Sequence, residues 1–567
     1  MILNLIPAVK ALHIHQGFLT NRTIYAPLSG LDERLRLALN KLPQSESGTP
    51  LEIRIADREG ESYTLSIRED RISIEATGTA GAFYAIQTLR QIFTHDQIPC
   101  LEIEDAPDFA YRGFYHDVTR GKIPTVETLK NLIDRMAYHK LNSLQLYVEH
   151  TYEFEEYKAL RESTGCLTKA QMLEIGAYCR ENFIDFVPSL STFGHLFELL
   201  EQPQYQHLQV RRDCEPLPNR WRARMMHHTI DPRNPQSIDL IGSLIDQYVP
   251  LFDSGLFNIC CDETFDLHSY DAQGVDSGKL YVDFVKKIIA QVQKHGKQVM
   301  MWADILLKYP ETIDQVPEDI LFLNWCYDAQ PKEERVIRLA QSGRKQIVCP
   351  GTTSWSRLCE NVGVAEQNIS RMVEYGRRHG AVGVLNTNWG DWGNPCSLEL
   401  ATYGLVLGAE KSWSAETAVD EDFCSRVNAL VYQHENGVQT LKTLSRMHDL
   451  VDWDDFCSAY YYHRYGHRSE KKDRRTDATA VQKLYGELVE RLSAESWVED
   501  EFRQEMLLAA EGVCVMAELW AKLLGEPVSR LTDTRQWLKK YAEKWLEKNQ
   551  PNELYRIQEM FCYCEDV

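Results

Sequence analysis

The feature that most constrains the fold is a series of eight short apolar segments between residue 109 and about residue 400. They start near Tyr111, Ser143, Phe183, Leu256, Gln298, Ile320, Gln346 and Ala381. Between most of them, apolar residues recur at helical spacing, as at 126–139, 169–182 and 279–295. Eight strand–helix units in a stretch of this length predict an α/β chain with a (β/α)8 TIM barrel. A doubly wound open sheet is the alternative, but no glycine-rich phosphate loop follows the first strand.

A small domain is predicted before the barrel, over residues 1–105. Apolar and polar residues alternate at 51–56, 63–67 and 71–76, which predicts antiparallel, half-buried strands. Helical spacing at 82–93 follows them. Pro99, Pro107 and the acids between them predict a linker into the barrel. This leading domain is therefore expected to be a non-catalytic α+β unit.

A helical region is predicted after the barrel, which we place at 106–430. Residues 431–567 are polar, with amphipathic spacing at 481–492, 501–524 and 534–548, and with a charge-rich connector at 471–477. This C-terminal region is expected to form either a cap on the barrel or the surface of a homodimer.

The composition excludes several kinds of partner. A net charge of −21 argues against binding to nucleic acid or to an anionic membrane. No stretch approaches the ~20 uninterrupted apolar residues of a membrane span, and the N-terminus lacks the features of a signal peptide. The fifteen cysteines are then expected to be reduced thiols of a cytoplasmic protein.

Polar and aromatic residues are concentrated where the predicted strands end, which is where barrel enzymes keep their chemistry. They are Arg112, His116 and Asp117 on strand one, Glu149 and His150 on strand two, Gly194 and His195 after strand three, Asp262 and Glu263 on strand four, Trp302 and Asp304 on strand five, Trp325 and Tyr327 on strand six, Ser354 and Trp355 on strand seven, and Trp389 and Asp391 on strand eight. Aromatic rings, carboxylates and an arginine at one end of a barrel predict a pocket for a polyhydroxylated ring.

The adjacent acids Asp262 and Glu263 are the centre of this pattern. They follow an apolar run, 257–261, which is typical of a buried parallel strand. Neighbouring carboxylates repel each other unless a cation or a shared proton compensates, so such a pair can keep one carboxyl protonated and the other ionised. The alternative is that Asp262 is a helix N-cap and Glu263 a solvated acid in the first turn.

These motifs resemble glycoside hydrolase family 20, the β-N-acetylhexosaminidases. The resemblance covers residues 50–400 and rests on 61–67 and 79–91, on Arg112-Gly113 with Asp117 and Arg120, on Phe193-Gly194-His195, on Asp262-Glu263, and on Trp302, Trp325 and Trp389-Gly390-Asp391. It implies an exo-acting hydrolase that removes terminal β-linked N-acetylhexosamine, GlcNAc or GalNAc, from a small glycan or glycoconjugate. It implies no cofactor and no metal.

The resemblance also implies how the residues act. The 2-acetamido oxygen of the substrate would attack the anomeric carbon and give an oxazolinium intermediate, with retention of configuration. Glu263 would protonate the glycosidic oxygen and then activate water, while Asp262 would hold the acetamide N–H. Further roles are implied for the sugar pocket: Trp302, Trp325 and Trp389 as its walls, Arg112 as a clamp on two hydroxyls, Asp391 as an acceptor from O4 or O6, and His195 as a partner of a pocket carboxylate.

The chain departs from the family pattern at two places, as a divergent branch would. Glu149-His150 replaces an Asp-containing motif after strand two, and Glu149 is kept as a substrate-binding candidate. Trp355 stands near the position where many members carry a tyrosine after strand seven. Tyr327 lies two residues beyond Trp325, on the same face of strand six. We therefore predict that the Tyr327 hydroxyl holds the acetamido carbonyl, with the Trp355 indole N–H as the alternative donor.

Two other functions remain open at this point. A metal-dependent barrel hydrolase would use His116, Asp117, His150 and Asp304, which lie on strands one, two and five. A non-catalytic sugar-binding barrel would need no acid pair.

Overall fold

The computed structural model describes residues 3–26, 29–211, 219–226, 228–466, 476–494 and 496–567. Its centre is a closed barrel of eight parallel strands, as predicted. The strands are β7 Tyr111–Asp117, β8 Ser143–Val148, β9 Asp185–Leu190, β10 Leu256–Asn258, β11 Gln298–Trp302, β12 Leu321–Trp325, β13 Gln346–Cys349 and β14 Gly383–Asn388, when the six strands of the leading domain are numbered β1–β6. Pairing of β14 with β7 and of β9 with β10 closes the barrel.

The leading domain is a six-stranded mixed sheet with two helices. Its elements are β1 Ala11–Phe18, β2 Ile24–Tyr25, α1 Glu33–Leu39, β3 Thr49–Ile55, β4 Tyr63–Ile67, β5 Ile72–Ala76, α2 Thr79–Ile92 and β6 Pro99–Asp105, in the strand order β1-β6-β4-β5-β3-β2. The α+β prediction is confirmed. Two details of it are wrong, because β3 and β5 are parallel and because residues 99–105 are a strand between β1 and β4 rather than a linker.

Helices follow the barrel strands along the chain. They are α3 Val126–Tyr138, α4 Arg161–Thr164, α5 Lys169–Glu181, α6 Phe197–Leu200, α7 Arg220–Met226, α8 Pro235–Tyr248, α9 His268–Asp271, α10 Ser277–Gln293, α11 Asp304–Lys308, α12 Glu334–Gln341, α13 Val362–Arg378 and α14 Thr402–Trp413. Side chains fix several of their starts. The Thr125 hydroxyl accepts the Thr128 N–H at α3, and Thr168 and Gln171 form a reciprocal capping box at α5.

The C-terminal region is helical, as predicted. Its helices are α15 Glu421–Val427, α16 Gly437–His448, α17 Trp453–Tyr465, α18 Ala478–Ala494, α19 Asp500–Leu523, α20 Thr534–Lys548 and α21 Leu554–Asp566. Helix α19 contacts α16, α17, α18, α20 and α21, and is therefore the centre of this bundle. Most of the connector predicted at 471–477 lies outside the described residues. No described helix combines the length and the apolar character that a membrane span needs.

The C-terminal bundle packs on two loops of the barrel. The Thr125 N–H donates to the Lys548 carbonyl at 2.8 Å, and the Asn552 amide donates to the Gly121 carbonyl at 2.7 Å. The Trp453 indole N–H donates to the Trp392 carbonyl at 3.0 Å. The bundle therefore holds the loops that follow β7 and β14, at the C-terminal end of the barrel.

Candidate active site

The backbone that presents Asp262 and Glu263 is strained. Strand β10 is three residues long, and after it Cys260, Cys261 and Glu263 adopt φ values of 57°, 67° and 48°. Non-glycine residues in this left-handed region cost about 1–3 kcal/mol each, and such residues cluster at functional sites. Gly194 makes the arrangement possible, because a Cβ there would lie 2.5 Å from the Asp262 carbonyl oxygen.

Hydrogen bonds from the neighbouring segments hold this strained stretch. The Thr192 hydroxyl donates to the Ile259 carbonyl at 2.6 Å, and the Tyr281 hydroxyl donates to the Cys261 carbonyl at 2.8 Å. The Glu263 N–H donates to Asp304 Oδ2 at 3.2 Å. The two acids are thus fixed by the backbone before any ligand arrives.

His195 lies between the two acids. Its Nε2 is 3.4 Å from Asp262 Oδ2 and 3.4 Å from Glu263 Oε2. Burial opposes a charge on this imidazole, but the carboxylates of Asp262 and Glu263 outweigh burial and raise its pKa to about 10. The His195 ring stacks on His228 at 4.5 Å, and its backbone N–H donates to His228 Nδ1 at 2.7 Å. His195 Nε2 therefore lies between the two carboxylates, which is where a carboxylate pair needs a shared proton.

One oxygen of Asp262 is left free. Asp262 is 7% exposed, and its Oδ1 is buried with no hydrogen-bond partner among the described residues. A buried carboxylate oxygen without a donor is costly, so its presence in a native fold points to a donor that a ligand brings. Glu263 is less enclosed, with a side chain that is 24% exposed.

Arg120 is the arginine of this site. Its Nη1 donates to Asp391 Oδ1 at 2.6 Å, and its Nη2 lies 3.3 Å from His195 Nδ1. Its Nε is 3.5 Å from Glu149 Oε1. The guanidinium also lies over the Trp389 ring, with its central carbon 5.1 Å from the ring centroid. One planar cation thus connects the acids of strands two and eight with the histidine of strand three.

Arg112, which the sequence predicted as the sugar clamp, is at the opposite end of the barrel. It is the second residue of β7 and is fully buried. Its guanidinium makes a two-point contact with Glu61 of the leading domain at 2.7 and 3.0 Å, and its Nε donates to the Lys140 carbonyl at 3.0 Å. The prediction for Arg112 is wrong because β7 carries it at the N-terminal end, away from the acids.

The predicted aromatic residues form one cluster in the barrel. Trp302 is fully buried and packs against Trp389, with 5.9 Å between ring centroids. Trp325 stacks on Tyr327 at 5.2 Å, and Trp355 meets the Tyr327 ring edge-on at 5.1 Å. Trp325, Tyr327 and Trp355 are partly exposed, whereas Trp302 is covered. Direct contact of Trp302 with a sugar stays a prediction.

Tyr327 has a hydroxyl that is oriented by the protein. The Trp389 indole N–H donates to the Tyr327 oxygen at 2.7 Å. The indole N–H occupies a lone pair of the Tyr327 oxygen and leaves its one hydrogen unused. The Tyr327 O–H can therefore donate a hydrogen bond to another acceptor. The structure therefore brings Tyr327 into the site, and its contact with the acetamido carbonyl stays a prediction.

Glu149 and Asp391 both bind Arg120, but with different exposure. Glu149 is 3% exposed and accepts the Tyr147 hydroxyl at 2.7 Å, so it lies behind the arginine. The Asp391 side chain is 26% exposed and faces the open side of the site. Asp391 is thus the better placed of the two to meet a ligand.

The residues of the metal-hydrolase alternative do not converge. His116 Nδ1 lies 3.0 Å from the Asn388 amide nitrogen, and Asp117 accepts backbone N–H groups from Thr119, Arg120 and Gly390. Asp304 Oδ2 accepts the Glu263 N–H. Within the described ranges, one group could hold a metal ion, namely His195, Asp262 and Glu263, whose ligand atoms lie within 4.8 Å of one another.

Sequence reasoning missed two contributors to this site. Arg120 belongs to the first-strand motif, but Arg112 was predicted to bind the sugar. Strand β7 runs from Tyr111 to Asp117, so Arg120 lies just beyond its C-terminal end, with the acids, and Arg112 lies at its N-terminal end. His228 is far along the chain in a stretch without a motif, so no sequence signal pointed to it.

A closed (β/α)8 barrel whose strand ends bring together an acid pair, a histidine and an aromatic cluster defines a barrel of the glycoside hydrolase class. Residues 109–430 match the model of the glycosyl hydrolase family 20 catalytic domain, and residues 3–106 match that of domain 2 of the same family. The first match alone spans more than half of the chain. The chain belongs to glycosyl hydrolase family 20.

Two curated relatives show how far the likeness extends. A β-hexosaminidase of Porphyromonas gingivalis is 27% identical over an alignment of 288 residues, and the match covers 43% of this chain and 36% of that protein. A β-hexosaminidase of Vibrio furnissii is 22% identical over an alignment of 358 residues, and the match covers 54% of each chain. The chain thus spans about half or less of the length of these relatives.

Solved structures share the fold. The N-acetyl-β-hexosaminidase of Streptomyces plicatus, solved in complex with Thio-NAglucal, has a TM-score of 0.61 and 21% identity over 76% of this chain and 94% of that one. The chitobiase of Flavobacterium johnsoniae has a TM-score of 0.61 and 18% identity over 99% of both chains. The likeness to the Flavobacterium chitobiase therefore extends over the helical C-terminal region.

Proposed function

We propose that this chain is an exo-acting β-N-acetylhexosaminidase that releases terminal β-linked GlcNAc or GalNAc from a glycan or glycoconjugate. The observation that carries the proposal is the contact of His195 Nε2 with both Asp262 and Glu263 at 3.4 Å, at the C-terminal end of a family 20 barrel. Membership of the family and the names of the relatives support it.

The chemistry begins with the acetamide of the substrate. Its oxygen attacks the anomeric carbon, the bond to the leaving group breaks, and an oxazolinium ring forms with a positive charge on nitrogen. Asp262 Oδ1, which is buried and without a donor, accepts the acetamide N–H and offsets that charge. The Tyr327 O–H, whose oxygen is held by Trp389, donates to the acetamido carbonyl and keeps it in line for attack.

Glu263 transfers the proton. As an acid it protonates the departing oxygen, and as a base it then removes a proton from the water that opens the oxazolinium ring, with overall retention. Its partial exposure leaves room for a leaving group beside it. Arg120 and Asp391 present a donor and an acceptor to the hydroxyls of the terminal sugar.

Matched 4-nitrophenyl glycosides test the proposal. We expect release of nitrophenol from the β-N-acetylglucosaminide, the β-N-acetylgalactosaminide or both, and none above background from the β-glucosaminide with a free amine. The free amine has no acyl oxygen to attack. Binding of N-acetylhexosamine without hydrolysis of any substrate would show a sugar-binding protein instead.

We further propose a cytoplasmic location. The described cysteines are all free, and all of those near the acids are buried, which suits a reducing compartment. Recovery of the protein outside the cytoplasm in cell fractionation would contradict this. A homodimer stays a prediction.

A further inference from the structure

A phenylalanine is exposed beside the catalytic acid. Phe265 is 41% exposed, whereas its neighbours Thr264 and Asp266 are 3% and 5% exposed. Its backbone N–H donates to the Glu263 carbonyl at 2.7 Å, which fixes the ring two residues from the acid. A single exposed ring is common on protein surfaces and does not by itself indicate a binding site. The side chains around Phe265 do indicate one.

A lysine without an ion-pair partner lies over this ring. Helix α11 starts at Asp304, which binds the Glu263 N–H, and ends at Lys308. The Lys308 ammonium is 5.8 Å from the centroid of the Phe265 ring. No carboxylate of the described residues forms an ion pair with Lys308, which is exposed.

An arginine from the next helix adds a second cation. The Arg335 guanidinium on α12 lies 5.0 Å from the centroid of the Trp325 ring, and it too lacks an ion-pair partner among the residues described. Arg338, one turn later, donates to the Leu307 carbonyl at 2.8 Å. This bond packs α12 against the end of α11 that carries Lys308. The charge of Arg335 also acts on the Asp304 carboxyl, which accepts the Glu263 N–H, so α11 and α12 bring both cations to the part of the site that contains Glu263.

The charge of the chain makes this arrangement unusual. With 83 acidic and 62 basic residues, the chain has an excess of carboxylates that could neutralise surface cations. Two cations that stay unpaired beside an exposed aromatic ring are suited to an anionic group on a ring-shaped ligand. An exposed ring face suits the apolar face of a sugar, and the cations suit its anion.

We propose that Phe265, Lys308 and Arg335 form a subsite for the leaving group, and that this subsite takes a sugar residue with a carboxylate or a sulfate. The inference rests on the proposed function, because the departing oxygen must lie beside Glu263. Arg120 and Asp391 face the terminal sugar on the other side of the acid pair. The preferred substrate is thus an acidic glycan with a neutral terminal N-acetylhexosamine.

The test compares leaving groups that differ only in charge. One pair is N-acetylglucosamine β-linked to O4 of glucuronate and the same linkage to glucose; a second pair is built on galactose with and without a 6-sulfate. We expect kcat/KM for the acidic member of at least one pair to exceed that of the neutral member by about 10-fold at low salt, and the ratio to shrink towards one at about 0.5 M NaCl. Preference in the first pair assigns a carboxylate, and preference in the second assigns a sulfate.

Variants assign the effect to the subsite. Lys308→Met and Arg335→Met should each lower the acidic-to-neutral ratio by about 3-fold, and Lys308→Arg should keep it. Lys287→Met, an exposed lysine on α10, is the matched control and should leave the ratio unchanged. Phe265→Ala should raise KM for both members of a pair.

Two failures are distinguishable. If the parent cleaves the aryl N-acetylglucosaminide but shows no acidic preference, or if Lys308→Met and Arg335→Met keep the parent ratio, the subsite is wrong and the proposed function stands. If the parent cleaves no N-acetylhexosaminide, the proposed function is wrong, and the proposed subsite is wrong as well.

Discussion

The two ends of the barrel use arginine in different ways. Arg112 and Arg120 are eight residues apart, are 0% and 8% exposed, and both bind carboxylates. At the N-terminal end, Arg112 donates to fixed acceptors of the leading domain and the barrel, including both oxygens of Glu61. At the C-terminal end, Arg120 binds a partly exposed Asp391 and contacts His195. The side chains of the two carboxylate partners are also alike, with Glu61 24% and Asp391 26% exposed. Burial, charge and partner exposure therefore do not separate a structural arginine from a functional one, whereas the end of the barrel at which the arginine lies does.

The acids at the two ends differ in how they are paired. At the N-terminal end, Asp105 is paired with Lys140 at 2.9 Å, and both side chains are buried. At the C-terminal end, Asp262, Glu263 and Asp304 lie together, and the nitrogen nearest to Asp262 and Glu263 is His195 Nε2. The paired groups at the N-terminal end stabilise the fold, whereas these three acids at the C-terminal end lack a lysine or arginine counter-ion among the described residues, as is common where a ligand binds.

The largest effect is expected from Glu263→Gln, at the C-terminal end. The amide keeps the shape but cannot donate the proton, so kcat/KM should fall by about 10²–10⁴. The loss should be larger for an alkyl leaving group than for 4-nitrophenol, which departs without help. Equal losses for the two leaving groups would contradict the role of Glu263 as the acid.

Lysine in place of each arginine tests the comparison directly. Arg120→Lys keeps the charge but loses the planar fork, so kcat/KM should fall by about 10- to 100-fold. Arg112→Lys should lower the free energy of unfolding by about 2 kcal/mol, since buried acceptors lose their donors, and should leave kcat/KM of the folded enzyme within about 2-fold. Denaturant unfolding and steady-state kinetics on both variants check this. A loss of kcat/KM in Arg112→Lys equal to that in Arg120→Lys would overturn the distinction.

Tyr327→Phe sharpens the description of the C-terminal end. Removal of one well-placed donor should lower kcat by about 10-fold, with little change in thermal stability because the ring stays. Trp355→Phe is the matched variant and should cost less. If Trp355→Phe loses activity and Tyr327→Phe does not, the donor to the acetamide is the indole.

The smallest expected effect is on the pH dependence of the free energy of unfolding. Burial first, and then the charge of Asp262, raise the pKa of Asp304 to about 7 from an ordinary value of 3.8. The folded state thus holds the proton more tightly than the unfolded state does. The resulting stability is fully present below about pH 4 and is lost as the pH rises towards about 7.

Asp304→Asn removes this dependence. Between pH 4.5 and pH 8, its free energy of unfolding should improve relative to the parent by about 1 kcal/mol or more. Asp328→Asn, at an exposed acid, is the control and should follow the parent. A parent and an Asp304→Asn variant with parallel stability curves would show that Asp304 does not hold a proton in this range.

Much of the barrel could be predicted from the sequence because its strands are short, apolar and bounded by amphipathic helices. The predicted start at Leu256 and the observed strand Leu256–Asn258 coincide, since burial on both faces gives a continuous apolar run. The strand at 99–105 was missed because Pro99 suggests a break. Its pairing partners β1 and β4 are distant in sequence, so tertiary contacts decided it.

The site could be predicted only in part, for geometric reasons. Asp262 and Glu263 are adjacent and end a strand, so their place follows from the chain itself. The assignment of Arg112 failed because residues at both ends of β7 look alike in sequence. His228 could not be predicted, because its stacking on His195 depends on how a long loop folds back.

We expect the acetamide of the substrate to be the nucleophile, held by Asp262 and Tyr327. The most direct measurement is kcat/KM for 4-nitrophenyl β-glucosaminides whose N-acetyl group carries none, one, two or three fluorine atoms. Fluorine withdraws electrons from the carbonyl oxygen, so kcat/KM should fall steeply, by about 10²-fold or more, across the series. A kcat/KM that does not change with fluorine content would show instead that a carboxylate of the protein attacks the anomeric carbon.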